Sequence, residues 1–101
     1  MIRGTTPRHI FTLPFHTDAV KECRVLYAQG GEVVLTKTVS DCDMDGNELS
    51  VHLTQEETFL FDCTAWVEIQ LRVLTFDGEA LASKPMQVSV TKCLGTEEVL
   101  A

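Results

Sequence analysis

Positive charge is scarce in this chain. Its 101 residues include 8 Lys and Arg against 15 Asp and Glu, which gives a formal net charge of -7. Such a surface repels phosphate backbones and anionic lipid headgroups. We therefore expect neither nucleic acid nor a membrane surface to be a partner, and the excess charge itself favours solubility.

Long apolar runs are also missing. No stretch approaches the roughly 18 consecutive apolar residues that a membrane-spanning helix needs. The first ten residues, MIRGTTPRHI, lack the apolar segment of a secretory signal peptide. The sequence thus predicts a chain that stays in the cytoplasm unless other machinery exports it.

Closely paired cysteines are absent. The cysteines and histidines are Cys23, Cys42, Cys63, Cys93, His9, His16 and His52. No two cysteines form a C-x-x-C pair, so the closely spaced ligands of a structural zinc site are missing. Four cysteines also permit disulfides with three connectivities, but a reducing cytoplasm disfavours them. We expect free, mostly structural thiols, no metal and no other cofactor.

Aromatic residues are few: one Trp, one Tyr and five Phe. The core needs most of them, and Phe59 and Phe61 are expected to lie there, so few remain to stack on a sugar. Trp66 is predicted to lie either at a sheet edge or in an interface.

Strand signals fill most of the chain instead. Alternating and β-branched segments predict about seven short strands, at residues 9–15, 21–29, 32–39, 48–54, 65–75, 80–83 and 86–94. The segment 65–75 is the longest of them. The predicted core-facing residues are Phe11, Leu13, Phe15, Cys23, Val25, Tyr27, Leu49, Val51, Leu53, Val67, Ile69, Leu71, Val73, Met86, Val88 and Val90.

Turn and cap residues separate these segments. Gly30-Gly31, Gly46 with its neighbours, and Asp77-Gly78 are hairpin-turn chemistry, whereas Lys84-Pro85 predicts a break. Thr54 and Glu57 form a capping-box pattern, which predicts one short helical turn near Thr54–Thr58 crossing between two sheets. The whole pattern predicts an all-β, Ig-like antiparallel β-sandwich in a single domain, residues 1–94, followed by a flexible acidic tail, residues 95–101.

The stretch DCDMDGNELSVH resembles a calcium loop. Asp41, Asp43, Asp45 and Gly46 occupy the first, third, fifth and sixth positions of that motif. The twelfth position is His52, which cannot supply a bidentate carboxylate, and the flanks are strand-like rather than helical. We interpret the stretch as a tight turn, with a weak surface cation site as the alternative.

The sequence contains candidate residues for nucleophilic catalysis, but the partners that a catalytic site needs cannot be identified beside them. Ser50 and His52 alternate onto the same face of one strand, and Cys63 follows later in the chain. No carboxylate that would orient His52 and no oxyanion hole can be identified beside them. We therefore expect a protein without enzymatic activity and name no catalytic, cofactor-binding or metal-binding residue.

Three segments, FTLPF, LTQEETFLFD and IQLRVLTFDGEALAS, together resemble a group of small proteins encoded in prophages of gut Firmicutes. The resemblance covers nearly the whole chain but includes no catalytic signature and no assigned site. It implies a virion-associated protein of the tail or baseplate, present in the host cytoplasm before assembly and in the virion afterwards.

Two functions from different classes follow. The first is a structural or interaction module of a phage particle, whose partners are other phage structural proteins or further copies through sheet edges. Its expected contact is the carboxy-terminal strand with the tail, where Val99 and Leu100 have no evident place in the core. A disordered tail on a monomer is the alternative to that contact. The second function is a β-sandwich that binds a small ligand or carbohydrate.

Overall fold

Two antiparallel sheets make up the protein. The structure, a computed structural model, describes residues 1–92. The strands and helix are β1 (Arg8–Thr12), β2 (Val20–Gln29), β3 (Glu32–Thr38), β4 (Cys42–Asp45), β5 (Glu48–His52), α1 (Gln55–Thr58), β6 (Val67–Thr75), β7 (Ala80–Ala82) and β8 (Met86–Val88). Short 3-10 turns at Thr17–Ala19 and Val39–Asp41 precede β2 and β4. The predicted tail, residues 95–101, lies outside the described residues.

The sheet order is that of a sandwich built on hairpins. One sheet has the order β1-β5-β4, and the other has the order β3-β2-β6-β7 with β8 also paired to β6. In the same order, these strands match B-E-D and C′-C-F-G of immunoglobulin domains. A parallel bridge between Ile2 and Thr91 adds the amino-terminal segment beside the end of the chain's described part. The predicted all-β sandwich is confirmed.

A single apolar core fills the space between the sheets. Alternation places every second residue of each strand inward, and β6 shows this most regularly, with a buried residue at each odd position from Val67 to Thr75. Tyr27 and Phe61 are the largest fully buried side chains, each of which stabilises the fold by roughly 1.5–3 kcal/mol through burial of apolar area. The core residues are Phe11, Leu13, Val20, Cys23, Val25, Tyr27, Leu49, Val51, Leu53, Phe61, Val67, Ile69, Leu71, Val73 and Val90.

Two hairpin turns use glycine where the backbone requires it. The β2–β3 loop is Gly30-Gly31, and both residues have positive φ, 59° and 82°. The β4–β5 loop is Gly46-Asn47, in which the positive φ of 59° falls on Gly46. L-residues with a side chain avoid this region, so the predicted turns are confirmed with a specific reason for each glycine.

The predicted helical turn is confirmed together with its capping box. The Glu57 backbone N–H donates to Thr54 Oγ1 at 3.1 Å, and the Thr54 N–H donates to Glu57 Oε1 at 2.8 Å. Two backbone donors at the start of α1 are thereby satisfied within four residues. The helix connects β5 of the three-stranded sheet to β6 of the five-stranded sheet, as the sequence predicts.

Strand ends differ from the prediction in three places. The longest strand is β2, with ten residues, and not β6, which has nine. Strand β1 ends at Thr12, before Pro14, and forms an edge as predicted. Of the predicted strand 86–94, the described residues form β8 over Met86–Val88 and an isolated bridge at Thr91. Met86, predicted to face the core, is 43% exposed. The break predicted at Lys84-Pro85 separates β7 from β8. Between β7 and β8, the Ser83 hydroxyl accepts the Leu71 N–H of β6 at 3.0 Å.

Candidate interaction surface

An open groove lies on the face of the five-stranded sheet that points away from the core. It has a volume of about 370 Å³. Its floor and rims come from three adjacent strands, β2, β6 and β7. The lining residues are Glu22, Cys23, Arg24, Arg72, Val73, Leu74, Ala80, Leu81 and Ala82.

Two arginines meet across the middle of this groove. Arg24 of β2 and Arg72 of β6 are direct partners in the antiparallel register, so their side chains leave the sheet from neighbouring positions on one face. Like charges placed directly opposite each other destabilise a sheet. In a chain with a net charge of -7 and only 8 basic residues, this concentrates positive charge at one point of an otherwise acidic surface.

Only one of the two arginines has an acidic partner within residues 1–92. Arg24 lies 3.5 Å from a Glu22 carboxylate oxygen, and both side chains are more than half exposed. Such an exposed pair contributes at most about 1 kcal/mol. No salt bridge is formed by Arg72 in this part of the chain. A carboxylate or another anion above Arg72 would therefore offset an uncompensated charge.

Apart from Glu22, the other residues that line the groove are apolar. Leu74 lies opposite Ala80, and Arg72 lies opposite Ala82, whose short side chain leaves room beside the guanidinium group. At the rim, Leu81 is 41% exposed. The groove thus offers two guanidinium groups, of which that of Arg24 is already paired with Glu22, beside an apolar strip. This composition suits a ligand that is acidic at one end and apolar at the other.

Most of the aspartate-rich stretch, predicted as a tight turn, is strand β4 paired with β5, and only Gly46-Asn47 forms the turn. The rest of the fold holds that turn in place. The Gly46 carbonyl accepts hydrogen bonds from the Thr17 N–H at 2.8 Å and from the Thr17 hydroxyl at 2.9 Å. Asp41 caps the preceding 3-10 turn, because its carboxylate accepts the Thr38 N–H at 3.0 Å. This hydrogen bond lowers the pKa of Asp41. Within residues 1–92, no three His, Cys, Asp or Glu side chains are placed to hold a metal ion.

The cysteines occupy different environments. Cys23 is buried in the core, Cys42 is half-buried, and Cys63 is exposed, and all three are free thiols. The Cys42 thiol donates to the Thr38 carbonyl at 3.3 Å, and a hydrogen bond with Cys23 together with burial raises the pKa of Cys42. Cys93 lies outside the described residues.

Of the residues considered for nucleophilic chemistry, His52 is bound by another side chain. His52 lies exposed on the outer face of the three-stranded sheet, where its Nε2 accepts a hydrogen bond from Arg8 Nε at 2.7 Å. Ser50 shares that face, two residues earlier on β5. Cys63 belongs to the loop between α1 and β6, where the Asp62 carboxylate accepts the Thr64 N–H at 2.9 Å. The chain therefore gives Asp62 and His52 structural partners.

Tyr27 joins a partly buried polar contact to a ring contact in the core. His9 Nδ1 and the Tyr27 hydroxyl are 2.8 Å apart, and the Tyr27 ring packs on Phe61 with centroids 5.9 Å apart. Burial, followed by the positive charge of the Met1 amino group, lowers the pKa of His9. Burial raises the pKa of Tyr27 well above its usual range.

Lys37 and Glu57 form the least exposed ion pair in the described part of the chain. Lys37 Nζ and Glu57 Oε2 are 2.5 Å apart, with side chains only 12% and 21% exposed. Burial alone would raise the pKa of Glu57, but the hydrogen bonds from Lys37 and from the Thr54 N–H outweigh it and lower that pKa. An inward-pointing lysine on an edge strand is also a device that discourages strand addition, and β3 is such an edge.

The arginine pair is the feature that sequence reasoning missed. Arg24 and Arg72 are 48 positions apart, and only the β2–β6 register makes them neighbours.

Trp66, predicted at an edge or in an interface, directly precedes β6 and is 60% exposed.

Comparison with known proteins leaves the fold as the only classification. The chain is an all-β antiparallel sandwich with an open groove of mixed apolar and cationic character. Neither a protein-family model nor a curated protein sequence matches it. In residues 1–92, no helix has the length and apolar character required to cross a bilayer.

Proposed function

We propose that this protein is a non-enzymatic interaction module of a phage or prophage particle, associated with the tail or baseplate, and that it binds protein partners through the outer face of its five-stranded sheet. The observation that carries the binding part of this proposal is the groove in which Arg24 and Arg72 lie beside Leu74. Arginine is enriched in protein interfaces, and an apolar strip beside it is the usual composition of their centres.

The shape of the surface supports a protein partner over a small molecule. Small-ligand sites enclose most of their ligand, whereas this groove opens along a sheet face. The residues that line it include no Phe, Trp or Tyr, although sugar-binding sites depend on such rings, so the alternative of a carbohydrate-binding sandwich receives no support from this groove. The assignment to a phage particle rests on the resemblance of three sequence segments to prophage-encoded proteins.

Purified particles provide the test of the proposed function. Particles induced from the encoding strain would be banded on a density gradient and analysed by quantitative mass spectrometry. We expect this protein to co-purify with tail or baseplate proteins in a fixed ratio. Its absence from intact particles, with tail proteins present, would contradict the virion assignment.

Variants of the groove test which surface is used. Arg72→Glu should reduce incorporation into particles, whereas Arg8→Glu makes the same change of charge on the three-stranded sheet and should leave incorporation unchanged. Equal incorporation of both folded variants would exclude the groove as the binding surface.

A further inference from the structure

The groove and the carboxy-terminal segment have matching chemistry. The groove combines two arginines, of which Arg24 is paired with Glu22, with an apolar strip. The last residues of the chain read TEEVLA. That sequence places two glutamates, Glu97 and Glu98, directly before the apolar residues Val99 and Leu100. Acidic groups would face the guanidinium groups while the apolar residues cover Leu74 and Ala80.

The position of the last described strand favours docking between two molecules. Val88 pairs with Val67, which lies five residues from Arg72 along β6, or about 17 Å at the usual rise of a strand. Strand β8 runs antiparallel to β6 and so leads away from the groove. From Lys92 to Glu97 an extended chain covers at most about 18 Å, so a tail that had to reverse direction could hardly reach the groove of its own molecule. A neighbouring molecule imposes no such limit.

We infer that the groove binds the acidic carboxy-terminal segment of a second copy of this chain, with Glu97 and Glu98 paired to Arg24 and Arg72. This inference rests on the proposed function, since it names a partner for the same surface. It also changes the predicted route of self-association, because the contact is made through a sheet face and a tail rather than through the edge of the last strand. Each molecule carries one groove and one tail, so two copies can exchange tails in a closed dimer.

Sedimentation of the full chain at about 100 μM, a concentration suited to weak association, provides the test. We expect the wild type to self-associate and a chain ending at Leu94 to sediment as a monomer. The double variant Arg24→Glu/Arg72→Glu should also be monomeric. Combining it with Glu97→Lys/Glu98→Lys should restore association, because the charges are then exchanged rather than removed.

Milder changes set the expected size of the effect. Glu97→Gln/Glu98→Gln should raise the dissociation constant by roughly two- to thirtyfold, which is the range expected for the loss of two exposed ion pairs. Added salt should weaken association in the wild type. Arg8→Glu serves as the control with a matched charge change and should associate as the wild type does. Far-ultraviolet circular dichroism and melting curves establish that every variant is folded.

Three results would overturn the inference: a wild type that is monomeric at this concentration, a truncated chain that associates equally well, or exchanged charges that fail to restore association. None of these results affects the particle experiment, in which a monomeric chain can still bind another virion protein. Conversely, the protein could be absent from particles and still associate through its carboxy-terminal segment. That result would refute the virion assignment and leave the docking site unaffected.

Discussion

The hydroxyl of Thr58 is predicted to hold the amino-terminal segment against the sandwich. Thr58 is fully buried at the end of α1. Its Oγ1 accepts the Gly4 N–H at 2.8 Å and donates to the Gln55 carbonyl at 2.8 Å, and it also lies 3.3 Å from the Thr5 carbonyl. Thr58→Val keeps the shape of the side chain and removes only the hydroxyl, so the change isolates these hydrogen bonds.

The magnitude follows from the groups left without a partner. Losing a net hydrogen bond costs about 1 kcal/mol, and leaving a buried donor unsatisfied costs about 1–3 kcal/mol. The Gly4 N–H is only partly buried, so water recovers some of that cost. We expect a loss of about 2 kcal/mol in the free energy of unfolding, which lowers Tm by roughly 8–16 °C for a domain of this size.

Urea unfolding at constant pH measures this loss directly. The midpoint should fall while the slope of free energy against denaturant stays the same, since the exposed area hardly changes. Thr36→Val is the matched control, because Thr36 is exposed on β3 and its hydroxyl makes no hydrogen bond within residues 1–92. If Thr58→Val and Thr36→Val were equally stable, the Thr58 hydroxyl would not stabilise the fold and the argument would be wrong.

Three further predictions concern protons, thiols and calcium. The lowered pKa of His9 means that the unfolded chain binds a proton more readily than the folded chain does. Stability should therefore fall as pH falls from the ordinary histidine value of 6.5 towards the lowered pKa, and His9→Gln should remove that slope. Among the three described cysteines of the native protein, a thiol reagent should modify exposed Cys63 first and buried Cys23 last. Denatured, non-reduced protein should show four free thiols. Millimolar calcium should leave Tm nearly unchanged, because a ligand of the native state would raise it.

Each of these has a result that would count against it. His52→Gln should keep the dependence of stability on pH. If that variant lost it, the proton would have been assigned to the wrong histidine. A thiol count of two or zero would reveal disulfides and an oxidising compartment. A rise of several degrees with calcium would show that the aspartate-rich turn is a cation site after all.

Alternation in the sequence was sufficient to predict which side of each long strand faces the core. Cys23, Val25 and Tyr27 all point inward, as predicted, because the side-chain period of a strand is fixed by its backbone. The turn at Gly46 and the capped helix after Thr54 were also predictable, since turn and cap chemistry depend on neighbours within a few residues. Local rules thus account for most of the fold.

Pairing between distant strands was not predictable in the same way. The register that places Arg24 opposite Arg72 depends on an irregularity between Val20 and Glu22, where β2 shifts by one residue against β6. Nothing local to either strand determines that shift, and a slip of one residue would send the two side chains elsewhere. The groove therefore became visible only once the sheet was assembled.

The bridge between the two ends of the described chain bears on the order of folding. The Met1 amino group donates to the Ser89 carbonyl at 2.7 Å across 88 positions, and the Thr91 N–H donates to the Met1 carbonyl at 2.7 Å. Contacts this remote in sequence close slowly, because the loop entropy is lost before the contact forms. The β2–β3 and β4–β5 hairpins can form while the chain is still emerging from the ribosome, but residues 1–3 have no strand to join until Thr91 has been synthesised. Residues 1–3 precede every strand in the sequence and are thus among the last to be fixed in the native structure.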